Sequence, residues 1–182
     1  RLISVKIYYM EKNNRIIGRI EECERLDRCM RSDSSQLVVV YGRRRVGKTF
    51  LINEYFNYKF AFKLTGVYGE KRKIQLRNFA LELNRRSGVK QEDPKDWTEA
   101  FSYLRSYMES LDSSVKQVVF LDELPWLDSK RSGFLSAFEY FWNDYASTKH
   151  NFIFVLCGSA TSWMDEKITK NKGGLLPRHT CR

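Results

Sequence analysis

The sequence predicts an α/β domain built on a parallel sheet, and three observations carry that prediction. The apolar run Leu37-Val38-Val39-Val40-Tyr41 opens into Gly42-Arg43-Arg44-Arg45-Val46-Gly47-Lys48-Thr49, and the helix-like Phe50-Leu51-Ile52-Asn53-Glu54-Tyr55-Phe56 follows at once. A second run, Val118-Val119-Phe120-Leu121, ends in Asp122-Glu123. A third, over 152–156, is continuously apolar, as a strand covered on both faces should be. With 182 residues the chain has room for one sizeable domain rather than two. A domain of that size buries roughly 70% of the surface its unfolded form exposes.

Residues 1–14 carry a short apolar patch and then Glu11-Lys12-Asn13-Asn14; they are expected to form a tail or a lone strand ahead of a domain spanning 15–182. Ile20, Cys23, Leu26 and Met30 recur at helical spacing, which predicts a helix over 20–30. The first strand is expected over 37–41 and its helix over 48–57, while the alternating, aromatic Lys59-Phe60-Ala61-Phe62-Lys63-Leu64 predicts the second strand. Helices over 70–86 and 97–111 follow, parted by Asp93-Pro94; Trp97 and Phe101 make an apolar i, i+4 pair, and Asp112-Ser113-Ser114 closes the later helix. The third strand is 117–122, and Pro125 is expected to end whatever follows its acids. Phe134, Phe138, Phe141, Trp142 and Tyr145 keep helical period through 146. Such a stripe can stack bases, but it is read here as the core face of a helix packed on a sheet. The fourth strand, 152–156, leads to Gly158-Ser159 and so puts a hydroxyl beside the phosphate end of the sheet. Beyond Trp163 the chain turns polar, with Lys172-Gly173-Gly174 as a flexible loop before Leu175-Leu176-Pro177-Arg178.

The segment from Gly42 to Thr49 fits G-x-x-x-x-G-K-S/T, and each position has a physical task. Gly42 permits the turn out of the strand, and Gly47 lets backbone approach phosphate without a Cβ clash. The amides of Arg43, Arg44, Arg45 and Val46 form an anion nest. Lys48 reaches phosphate oxygens, Thr49 offers a hydroxyl to Mg²⁺, and the following helix points its positive end at the same anion. A basic surface turn is the plain alternative; the strand before and the helix after favour the phosphate loop. In a parallel sheet the strand ending at Asp122 finishes at the same edge, so Asp122 can hold the metal shell while Glu123, one residue further out, polarises water. A solvated strand end is the plain reading of those acids taken alone. A Glu straight after the Asp argues for hydrolysis over transfer to an acceptor hydroxyl.

Lys and Arg outnumber Asp and Glu by 32 to 22, a net charge of +10 that suits anionic partners. The clusters Arg43 to Arg45, Lys71-Arg72-Lys73 and Arg85-Arg86 are dispersed, so only weak, sequence-indifferent nucleic-acid binding is expected beside nucleotide. Cys23, Cys29, Cys157 and Cys181 show no C-x-x-C spacing, and Cys157 falls in an apolar strand, which suggests a reducing, cytoplasmic setting. His150 and His179 are isolated, so no structural metal is expected. No stretch approaches 18 apolar residues, and no membrane partner is expected.

With Tyr41 to Thr49, Phe120-Leu121-Asp122-Glu123-Leu124-Pro125-Trp126-Leu127 and Cys157-Gly158-Ser159-Ala160-Thr161, the chain resembles the archaeal-type ATPases of the STAND class, AAA-like P-loop NTPases also found in bacteria. The resemblance covers 16–178, and Ile17-Gly18-Arg19 with Glu21 and Glu22 is similar to the family's leading element near the adenine. It implies a three-layer P-loop NTPase fold with strand order 5-1-4-3-2, in which Ser159 matches the polar sensor position and Arg178 the arginine after a Gly-Leu segment. Pro177 and His179-Thr180-Cys181-Arg182 depart from the family pattern. Family members continue into a fifth strand, a helical lid and a C-terminal region, so the chain is expected to be a fragment with an exposed sheet edge, inviting self-association or an unidentified protein partner. The expected function is ATP binding with Mg²⁺ and hydrolysis that drives a conformational switch. Gly42 to Thr49 hold the phosphates with Gly18 and Arg19 beside the base, Thr49 and Asp122 hold the metal, Glu123 orients water, Ser159 senses the terminal phosphate and Arg178 offsets developing charge. The alternatives are a DNA-binding or DNA-remodelling module, supported by the +10 charge, and a nucleotide-binding scaffold that never turns over.

Overall fold

Four parallel strands, in the chain order 36–41, 62–65, 117–122 and 152–158 and in the sheet order first, fourth, third, second, form the sheet of this computed structural model, which describes residues 15–159 and 161–169. The strands are β1 (Gln36–Tyr41), β2 (Phe62–Thr65), β3 (Gln117–Asp122) and β4 (Phe152–Gly158). The long helices are α1 (Ile20–Arg31), α2 (Lys48–Tyr55), α3 (Arg72–Ser87), α4 (Trp97–Glu109) and α6 (Phe134–Asp144). Single turns α5 (Leu124–Leu127) and α7 (Thr161–Met164) follow β3 and β4, and α7 runs into a π-helical turn at Asp165–Thr169. The order agrees with 5-1-4-3-2 less its fifth strand among the described residues. The 1–14 tail, the loop at Lys172 to Gly174 and Arg178 lie outside the described residues. No helix among the described residues is long and apolar enough to cross a membrane.

Alternation along the strands divides the core into two layers. Val38, Val118, Phe120, Ile153, Val155 and Cys157 face α1 and α2, burying Leu26, Cys29, Ile52 and Phe56. Their neighbours Leu37, Val39, Val119, Leu121, Phe154 and Leu156 face α3, α4 and α6. Both faces are covered, which is why these strands read as unbroken apolar runs. The aromatic stripe of α6 belongs to the second layer: Phe141 stacks on Phe101 at 5.2 Å, Phe138 lies 5.9 Å from Phe154, and Trp142 is buried. None of those side chains is open to a base.

The second strand departs from its expected span of 59–64. Asn57 and Tyr58 take left-handed backbone (φ 48° and 57°), and the Tyr58 N–H bonds back to the Asn53 carbonyl, so α2 ends at Tyr55 and 56–61 form a turn. Pairing starts where the Ala61 N–H reaches the Val118 carbonyl, two residues later than alternation suggested. Pro125 does not end a segment; it sits in the first turn of α5, where a missing N–H costs no hydrogen bond. Beyond Trp163 the chain stays helical through Thr169, because the isolated apolar residues Met164 and Ile168 are fully buried in the second layer.

Candidate functional site

The register sets Tyr41 beside Gly158 and Thr65 beside Asp122, so the C-terminal ends of the four strands share one edge. The site is assembled there. Between β1 and α2 the chain turns through Gly42 (φ 152°), Arg45 (φ 63°) and Gly47 (φ 80°). Gly47 is the N-cap of α2 and no side chain caps that helix, which leaves its first-turn amides for a ligand or solvent. The Lys48 ammonium donates to the carbonyls of Gly42 (2.9 Å) and Arg43 (2.7 Å), so it lies within the loop. Arg19 ties α1 to the same loop, donating to the Val46 carbonyl at 2.6 Å and to Glu22 Oε1 at 2.7 Å. That bond holds the Glu22 carboxyl below its ordinary range. Gly18, with φ 72°, turns the chain into α1 immediately before Arg19. A cavity of about 190 Å³ adjoins the loop here, lined among others by Arg19, Leu26, Val46, Lys48 and Leu51.

Across the edge, Asp122 is 3% exposed and has both carboxylate oxygens engaged. Thr49 Oγ1 donates to Oδ2 at 2.9 Å and the Glu123 N–H to Oδ1 at 2.9 Å, although Thr49 and Asp122 stand 73 residues apart. Behind them, burial first and then the Asp122 carboxylate push the Cys157 thiol well above its ordinary range. Glu123 itself is left-handed (φ 49°, ψ 47°) and caps α5, which turns its side chain out of the strand direction. Ser159, just past β4, donates to Glu123 Oε2 at 3.1 Å, and Arg44 Nε donates to Ser159 Oγ at 3.4 Å. The Arg44 guanidinium lies 5.7 Å from the centre of the Trp126 ring.

The structure thus brings together the loop from Gly42 to Thr49, Arg19, Asp122, Glu123 and Ser159; Arg178 lies outside the described residues. Four contributors have no signal in local sequence: Cys157 against Asp122, the Arg44 side chain, Trp126, and Gln75, which is fully buried on α3. Gln75 donates to the carbonyls of Val67 (2.7 Å) and Trp126 (3.2 Å) and accepts from the Val67 N–H (3.2 Å). It holds the chain leaving β2 against the turn that carries Glu123. The i+3 and i+4 pattern marks α3 positions as buried but not what a buried glutamine binds.

An ammonium, a hydroxyl, two carboxylates and an uncapped helix N-terminus at one sheet edge are the donor set that a phosphate chain with a hard divalent cation takes. Among the described residues no group of three or more His, Cys, Asp or Glu is placed to hold a metal by itself, so a cation here draws part of its shell from a ligand or water.

Residues 17–181 match a family described as the ATPase domain predominantly from Archaea. Over 164 residues the chain is 25% identical to an uncharacterized protein of Methanocaldococcus jannaschii, covering 90% of this chain and 34% of that protein. The Walker-type ATPase of Pyrococcus abyssi superposes with a TM-score of 0.60 at 20% identity, covering 94% of this chain and 54% of that one. Cdc6p from Pyrobaculum aerophilum gives 0.63 at 15% identity, covering 96% and 47%. At such identities the two structures speak to the fold alone. The chain spans about a third of the curated relative's length and about half of the solved chains.

Proposed function

The chain belongs to the family of ATPase domains found predominantly in Archaea, and from that premise we propose that it binds Mg²⁺-ATP and hydrolyses it to drive a conformational switch. The observation that supports this reading best is the pair of contacts at the sheet edge: Thr49 to Asp122 at 2.9 Å and Ser159 to Glu123 at 3.1 Å. Each joins a residue type suited to one half of the chemistry with its partner from a different strand.

In the proposed site the Lys48 ammonium leaves the Gly42 and Arg43 carbonyls for phosphate oxygens, and the first-turn amides of α2 share the same anion. Thr49 and Asp122 hold the cation, which when bound offsets charge on the phosphates. Glu123 accepts a proton from water as the water oxygen bonds to the terminal phosphorus. The bond from that phosphorus to the bridging oxygen breaks, and its electron pair leaves with ADP. Ser159 orients the Glu123 carboxylate through their hydrogen bond. Arg19 keeps α1 against the loop, with the adjoining cavity on the side where a base is accommodated. Membership of the STAND class and a cytoplasmic setting are part of the same proposal.

The test is phosphate release and nucleotide titration on the full chain. Lys48→Ala is expected to lose about tenfold or more in ATP affinity, the weight of a charge-assisted phosphate contact. Glu123→Gln keeps the shape and is expected to lower turnover by roughly 10² to 10⁴ with little change in ATP affinity. Equal affinity in wild type and Lys48→Ala would sink the phosphate-loop assignment. Equal turnover in wild type and Glu123→Gln would leave a nucleotide-binding scaffold as the better account.

A further inference from the structure

Three consecutive arginines, Arg43 to Arg45, are exposed on the phosphate loop, and one of them faces the hydrolytic carboxylate. Arg44 Nε donates to Ser159 Oγ, which itself donates to Glu123 Oε2, so the guanidinium stands two hydrogen bonds from Glu123. What holds it there is weak. The Ser159 bond is long at 3.4 Å, and the Trp126 ring centre is 5.7 Å away, near the outer limit for a cation–π contact. Among the described residues no carboxylate pairs with Arg44, whereas Arg19 is bound both to a carboxylate and to the loop backbone. A guanidinium has five donors in a planar fork that matches phosphate oxygens. Arg44 is therefore resting on neutral partners with most of its donors unspent, at the side of the loop where Glu123 lies.

We propose that Arg44 is a cis-acting arginine that reads the terminal phosphate of a nucleoside triphosphate, giving up Ser159 and Trp126 when it does so. The proposal rests on the hydrolase reading above, because only there must the terminal phosphorus sit beside Glu123. A diphosphate ends short of Glu123 and leaves Arg44 on its resting partners. The exchange then discriminates triphosphate from diphosphate without a residue from a second chain, and it leaves the Ser159 hydroxyl bonded to Glu123 as it was. It also changes the surroundings of one indole. Of the four tryptophans, Trp97 and Trp142 are buried in the core and Trp163 packs partly buried against it, whereas Trp126 lies against the Arg44 guanidinium, so Trp126 is the reporter of the exchange and Trp126→Phe identifies its share of the signal.

The experiment titrates the full chain with Mg²⁺-ATPγS and with Mg²⁺-ADP by calorimetry, following tryptophan emission in parallel, for wild type, Arg44→Ala, Arg44→Lys and Trp126→Phe. Arg44→Ala is expected to lose about tenfold or more in ATPγS affinity while its ADP affinity stays as in wild type. Arg44→Lys restores only part of the loss, because a point charge replaces the fork. The wild-type emission changes with ATPγS and not with ADP, and that change disappears in both Arg44→Ala and Trp126→Phe. An equal loss for both nucleotides in Arg44→Ala, or no loss for either, overturns the proposal. If Lys48→Ala loses both nucleotides while Arg44→Ala keeps the wild-type ratio, the site reading stands and this inference alone falls. A wild type that binds neither nucleotide removes both.

Discussion

Gly66 follows β2 directly, where its N–H donates to the Asp122 carbonyl at 2.9 Å. A Cβ at this position lies 2.6 Å from the Glu123 carbonyl oxygen and 3.2 Å from the Leu127 amide nitrogen. Both are backbone atoms, so no flexible side chain can yield, and the turn that orients Glu123 has to shift. Gly66→Ala is expected to cost about 1 to 3 kcal/mol, seen as a lower urea midpoint, and to slow phosphate release in the same preparation. An unchanged midpoint would contradict the close approach. At this scale the residues that local spacing identifies are those whose task is set within the loop or at a strand end: Gly42, Gly47, Lys48, Thr49, Asp122 and Glu123. Gly66 and Cys157 escape notice, because what constrains each is a group brought to it by another strand.

Helix α3 is amphipathic in an ordinary way, with Leu76, Phe79, Ala80 and Leu83 buried, yet its fully buried glutamine gives it a second task. Gln75 satisfies the Val67 N–H and the carbonyls of Val67 and Trp126, groups on two different connections. Gln75→Leu keeps most of the volume and removes all three bonds. The expected loss is about 1 to 3 kcal/mol for stranded backbone groups. Faster amide exchange should be confined to 66–70 and 123–127 when followed by mass spectrometry, and uniform protection in the variant would show that the helix is held by its apolar face alone. Helix existence follows from 3.6-residue periodicity, and α1, α3, α4 and α6 begin and end within a few residues of expectation. The second strand slipped because alternation in Lys59-Phe60-Ala61 cannot reveal the left-handed turn at Asn57 and Tyr58 that delays pairing.

Over the whole molecule, β1 pairs with β4 on one side, and among the described residues nothing pairs with its other edge. An apolar strand of six residues with unpaired backbone groups is a template for another chain. We expect self-association that rises with protein concentration in sedimentation velocity and persists at high salt, since backbone pairing and apolar contact are little screened. A single monomeric species at every concentration would count against it. What the sequence determined by itself is what local chemistry can encode. Strands covered on both faces must be apolar throughout, a phosphate loop must place Gly, Lys and Thr at set intervals, and a strand end can carry adjacent acids. Only the tertiary structure decided that Thr49 meets Asp122, that Ser159 bridges Arg44 and Glu123, and that Gln75 clamps the turn beside them. Those pairs are 36 to 115 residues apart in the chain, and their meeting depends on the order and register in which parallel strands align. That order is settled by the packing of two helical layers on one sheet and by no single stretch of residues.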